Sequence, residues 1–289
     1  MAGEFKRSWN LTKLTLEVIR QDKELIAFPI LAGVFSLLFI LAMIFPMLLS
    51  FVGQDRMPLF FGMTSFVLIF IIYLGLAFIA TFFNVCVVYT AKKRFEGGNA
   101  TFSETIKFAF TKIHLIFYWS IVSAVVGLIL RIINNIAERM GGIGELIIRI
   151  VNSLLGAAWS MITIFVVPGM VYHGYGPIDA IKNSAKSFKK TWGENLIRMF
   201  GFGVMEMIFF VLGVIIGIML LFTSAVFGPI AIIMSVLLVV VYFVAVGVFF
   251  ALANNIYSTA LYVYAEKGKI PKGFTDEVMG KAFVKHEKR

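Results

Sequence analysis

Six stretches of this chain run for 18 residues or more with almost no charge: 25–52, 59–89, 113–130, 150–172, 196–222 and 230–264. About 20 apolar residues in a helix rising 1.5 Å each cross a hydrocarbon layer about 30 Å thick, so each stretch predicts a membrane-spanning α-helix. The runs are unbroken rather than alternating, which excludes a transmembrane barrel. Composition agrees: 60% of the 289 residues are apolar and 15% charged, against about 45–50% and 25% in a soluble domain. With a mean hydropathy of +0.93, such a chain overfills any core it could bury from water. The expected fold is an all-α polytopic membrane bundle. It divides into an amphipathic N-terminal helix (1–24), a six-helix membrane domain (25–265) and a basic tail (266–289). The second and sixth runs exceed one upright crossing, so they must tilt, kink or project.

The net charge of +10 would point to nucleic acid in a soluble protein, but its placement here points to a membrane. Of the 26 Lys and Arg, all but Arg56, Arg131, Arg139 and Arg149 fall in the segments before the first, third and fifth runs, at the start of the fifth (Arg198), or after the sixth. By the positive-inside rule both termini are expected in the cytoplasm, in a plasma or inner membrane. Charged residues from Glu4 to Glu24 argue against a removable signal peptide.

The segments on that basic flank carry amphipathic patterns. Ile178, Ile181, Ala185, Phe188 and Trp192 recur at helical spacing, while Lys182, Lys186, Lys189 and Lys190 occupy another face. This is the signature of a helix lying in the interface, with the lysines on anionic headgroups. A second helix opens with Thr101 and Glu104 spaced as a capping box. The stretch 5–24, with Trp9, Leu11, Leu14 and Val18, is less regular. Tyr89, Tyr172 and Tyr264 each precede glycine and then an acidic helix start at Glu104, Asp179 or Asp276, consistent with a threefold repeat. On the opposite flank, Gly141-Gly142 inside an isoleucine stripe predicts a protruding helical hairpin, with Glu145 paired to Arg149.

Phe5-Lys-Arg-Ser-Trp9 with Asp22-Lys-Glu-Leu-Ile-Ala-Phe-Pro29 resembles a prokaryotic multi-pass membrane family of unknown function. Val167-Pro-Gly-Met-Val-Tyr172, followed by Pro177-Ile-Asp-Ala-Ile-Lys-Asn-Ser184, is similar to a central motif of six-span families. Among these is the membrane domain attached to some glycerophosphodiester phosphodiesterases. The resemblance implies six helices and no activity, since the phosphodiesterase domain itself is missing from this sequence.

Glu206 is an acid inside the fifth run. Ten residues past Leu196 it would lie about 15 Å deep, where a carboxyl can exchange a proton, attract a cation, or hydrogen-bond a neighbouring helix as structural glue. Asn84, Asn254 and Asn255 could line a polar path with it, or join helices by hydrogen bonds. Pro168 and Gly169 interrupt the fourth run and Gly201 and Gly203 precede Glu206, as hinges or as packing features; Gly213 and Gly217 read as a close-approach pair. No phosphate loop, zinc helix or nucleophile elbow occurs. A non-enzyme without cofactor or metal is therefore expected, partnered by the bilayer, anionic lipid headgroups and further copies of itself, and not by nucleic acid. Passage of an ion or small solute is the first functional expectation; a non-transporting scaffold that binds lipid or another membrane protein is the second.

Overall fold

In the computed structural model of the chain the described residues are 16–17, 19–20, 22, 24–52, 63–268, 270, 271 and 274, with side chains described except at 46–52, 63–66 and 192–202. Trp9, Leu11, Leu14, Val18 and Asp276, and the side chain of Trp192, therefore lie outside the description. The described residues form helices and no strand: α1 (Glu24–Val52), α2 (Met63–Phe95), α3 (Phe102–Thr111), α4 (Ile113–Met140), α5 (Gly142–Thr163), α6 (Val166–His173), α7 (Pro177–Lys190), α8 (Trp192–Ser224), a 3₁₀ turn (Ala225–Phe227) and α9 (Pro229–Lys267). Six of the helical segments are long and apolar enough to cross a membrane, α5 and α6 together making the fourth. The protein is an all-α, six-span membrane protein.

Contacts group the chain into two compact units. One comprises residues 30–92 and 100–190. Its buried residues gather at the ends of the spans that adjoin the basic segments: Val85 to Val88 of α2, Ile116 and Trp119 of α4, and all of 166–171 in α6. Further along, α5 buries no residue at all. Its outer half is dressed for lipid, as Leu154 at 65% exposure illustrates. The expected hairpin is present: α4 runs on to Met140, turns at Gly141 and returns as α5. Arg149 bonds Glu145 at 2.8 Å and approaches Glu138 at 3.9 Å across the turn. These side chains are solvated, so each pair contributes well under about 1 kcal/mol. Deeper in, Trp119 and Trp159 stack at 5.9 Å.

The other unit comprises residues 1–29, 93–99 and 191–289. It is built on the antiparallel pair α8 and α9. Gly213 and Gly217 do act as a close-approach seam: an added Cβ at Gly213 would fall 2.2 Å from the Tyr242 ring, and at Gly217 3.2 Å from Val239. The Tyr242 hydroxyl donates to the Phe209 carbonyl at 2.8 Å, fixing that ring in the seam. At 39 residues α9 spans about 58 Å. The excess over one crossing lies at its C-terminal end, where Leu252 to Val263 form a largely buried stretch. In the same unit Asp22, 6% exposed, is gripped by Arg94 through both guanidinium Nε and Nη2.

Candidate functional site

Two features of the sequence converge on α7. The first is the interruption of the fourth span. Pro168 has no N–H to give the Ile164 carbonyl and its ring collides with that oxygen, so a continuous helix fails one turn earlier, at Ile164–Phe165. Gly169 N–H restarts the ladder by donating to the Phe165 carbonyl at 2.9 Å. Phe165 N–H leaves the ladder of α5 and donates instead to Ser184 Oγ of α7 at 2.9 Å, in a buried setting. Pro168 and Gly169 are themselves buried, so the discontinuity is clamped by a neighbouring helix. Removing the hydroxyl with Ser184→Ala should cost about 1–3 kcal/mol of resistance to denaturation, the penalty for a buried amide losing its acceptor. Ser184→Thr, which keeps a hydroxyl, should cost less; an SDS titration in mixed micelles measures both.

The second feature is the amphipathic pattern of α7, which the structure redistributes. Its buried seam is Ala180, Ser184, Ser187 and Phe188, leading to buried Thr191. Ala180, Ser184 and Ser187 are small and let α7 lie close against α4, α5 and α6. The expected apolar stripe is divided: Phe188 belongs to the seam, Ile181 and Ala185 are half-buried, and Ile178 is 68% exposed. Hydrophobicity alone ranks isoleucine above serine for burial, but close backbone approach and a hydrogen-bonding duty reverse the order. Lys182, Lys186, Lys189 and Lys190 are all exposed. At 100° per residue they centre on the side of the helix opposite the seam, with Ile178 between the two.

Helix α3 is built like α7. Thr105 N–H donates to the Thr101 carbonyl at 3.0 Å and Ala180 N–H to that of Gly176 at 2.8 Å. The acids Glu104 and Asp179 stand one residue before these donors. Thr105 and Ala109 of α3, like Ala180 and Ser184 of α7, are fully buried. The Thr101 hydroxyl accepts from Glu104 N–H at 3.3 Å, half of the expected capping box. Glu104 also accepts from the Tyr89 hydroxyl at 2.7 Å, and Tyr89 stacks on Phe108 at 4.0 Å. The spans ahead of these helices, and α9 likewise, end on glycines with positive φ: Gly97, Gly174 and Gly268.

The polar residues expected along a path belong to both units. Glu206 and Asn254 are exposed and Asn255 is half-buried, all in the α8–α9 unit. Asn84 belongs to the other unit, half-buried, and its Oδ1 has no hydrogen-bond partner. The backbone carbonyls of Asn254 and Asn255 accept from Ser258 and Thr259, at 2.8 and 2.7 Å. Gly201 and Gly203 lie inside an unbroken α8.

The ion pair of Asp22 with Arg94 and the Ser184 clamp are not among the residues singled out by sequence. Asp22 and Arg94 are 72 positions apart, and although Asp22 opens the stretch 22–29 that carries a family resemblance, no spacing pairs it with Arg94. Ser184 does carry a faint signal, because small residues recur at 180, 184, 187 and 191 with helical spacing.

Comparison with known families places residues 63–273 within the family of unknown function DUF6159, and the chain belongs to that family. No curated protein matches it.

Proposed function

We propose that this protein is a non-transporting, non-enzymatic membrane scaffold which holds a lysine-lined helix against anionic lipid headgroups on the cytoplasmic side of the cell membrane. The observation that carries the proposal is the geometry of α7. One side is fastened to three neighbouring helices, the opposite side exposes Lys182, Lys186, Lys189 and Lys190, and Ile178 is exposed at the edge between them. A helix fastened to spans cannot drift from the bilayer, so its charges stay at headgroup level, where each basic residue contributes about 1 kcal/mol toward anionic lipid. The concentration of Lys and Arg on this flank supports a cytoplasmic placement.

Transport draws on Glu206 lining an internal polar path with the asparagines; exposure of Glu206 and Asn254 supports the scaffold instead. In nanodiscs of mixed zwitterionic and anionic lipid, the protein should enrich anionic lipid in its first shell. Changing the four lysines to Gln should lower that preference by about tenfold or more, since roughly 1 kcal/mol from each is at stake. Equal enrichment by the two proteins, read by lipid counting in native mass spectrometry, would sink the proposal.

A further inference from the structure

We infer that the hydrocarbon ends near Phe82 on α2, and that the rest of α2, with α3 packed along it, stands in water on the basic flank as the surface this chain offers to soluble contacts. Three spans of the unit built from residues 30–92 and 100–190 fix that level. Between Lys112 and Arg131, α4 runs about 27 Å from Ile113, one crossing. Trp119, six residues past Ile113, stacks on Trp159, six short of Phe165, so α5 leaves the hydrocarbon at the break that Ser184 clamps. On α2 the Phe82 ring meets the Phe110 ring of α3 edge to face at 5.2 Å, two residues before Lys112. From Met63 to Phe82 α2 covers about 28 Å, again one crossing.

The surface changes character at the same level. Among the described residues, large exposed apolar side chains end on α2 at Ile71, begin on α4 at Ile113 and end on α5 at Ile162. Past Phe82, residues 85–91 of α2 are all buried, and α3 runs back along them. Tyr89 stacks on Phe108 and donates to Glu104, and the hydroxyls of Thr90 and Thr105 meet at 3.2 Å. On the outside of α3, Ser103, Lys107 and Thr111 are exposed in one strip. Hydrogen-bonded polar pairs inside and a polar strip outside are the layout of a core bathed by water. Phe102, 40% exposed, faces water there as single apolar side chains do on solvated surfaces. Had the hydrocarbon reached Tyr89, where the apolar run ends, Lys112 would lie about 10 Å inside it, a costly depth for an ammonium. Asn84, two residues past Phe82, then sits at the edge of the hydrocarbon and not along a path through it.

The test places single cysteines in the full-length protein in nanodiscs, where both bilayer faces are open, and follows labelling by a water-soluble maleimide. Native Cys86 is fully buried and sets the background. Ser103→Cys, Lys107→Cys and Thr111→Cys should label at rates near that of free cysteine. Val125→Cys, about 18 Å past Ile113, should label at least about 100-fold more slowly, because the reactive thiolate does not form in hydrocarbon. Labelling at Lys107→Cys or Thr111→Cys as slow as at Val125→Cys would carry the hydrocarbon up to Tyr89 and overturn the inference. Rapid labelling at Val125→Cys would also overturn it, since α4 would then no longer mark a crossing. None of these readouts involves anionic lipid or the α7 lysines, so the level of the membrane and the lipid preference succeed or fail separately.

Discussion

Arg94→Ala is expected to destabilise the protein by about 3–5 kcal/mol, the range for breaking a buried ion pair from one side. The guanidinium grips the Asp22 carboxylate at two points, and the Asp22 side chain is 5% exposed against 26% for Arg94. Removing Arg94 strands a carboxylate away from water. Asp22→Ala leaves a guanidinium that still reaches solvent, so its cost should be smaller. The double variant should therefore be less destabilised than the sum of the two single ones, a coupling that SDS titrations of all four proteins would quantify. Additive losses would show that the pair contributes nothing as a pair.

Gly213→Ala should destabilise the α8–α9 hairpin by about 1–3 kcal/mol, as overpacking does. The new methyl falls 2.2 Å from a Tyr242 ring carbon, and that ring is held by its hydrogen bond to the Phe209 carbonyl. Gly247→Ala on the facing helix meets nothing within 4 Å. It should be neutral or stabilising by about 0.5–1 kcal/mol, because alanine loses less backbone entropy in a helix. Opposite signs for two identical substitutions separate interhelical sterics from helix propensity. Combining Gly213→Ala with Tyr242→Ala should recover part of the loss, since the clash partner is then gone.

What could be read from the residues divides along physical lines. The spans were legible because hydrocarbon imposes length and apolarity on every residue of a crossing, and α1, α4 and α9 lie where the runs predict them. The Gly141 hairpin and the Gly213–Gly217 seam were legible because glycine marks backbone demands locally. Helix ends were less so: α2 continues through Lys92 and Lys93 to Phe95, beyond the apolar run that ends at Tyr89, because helical hydrogen bonding does not stop where the charge-free run does. The break in the fourth span lies at Ile164–Phe165 and not at Pro168, since proline disrupts the turn before it. At the candidate site the four lysines were legible from periodicity, but the buried side of α7 was not. Ala180 and Ser184 gain their burial from what packs against them, and a hydropathy pattern does not contain that information. Whether Glu206 and the asparagines line one path depends on which way their helices face, which composition inside an apolar run leaves undetermined.

On the proposed function, α7 lies at the membrane surface with Ile178 toward lipid and its lysines toward headgroups and water. Spin labels at Ile178→Cys and Lys186→Cys, in a chain whose single native cysteine, Cys86, is fully buried, measure this directly through collision with oxygen and with a water-soluble nickel complex. The label at 178 should collide preferentially with oxygen and the label at 186 with nickel. Preferential nickel access at both positions would place α7 off the bilayer and contradict the account.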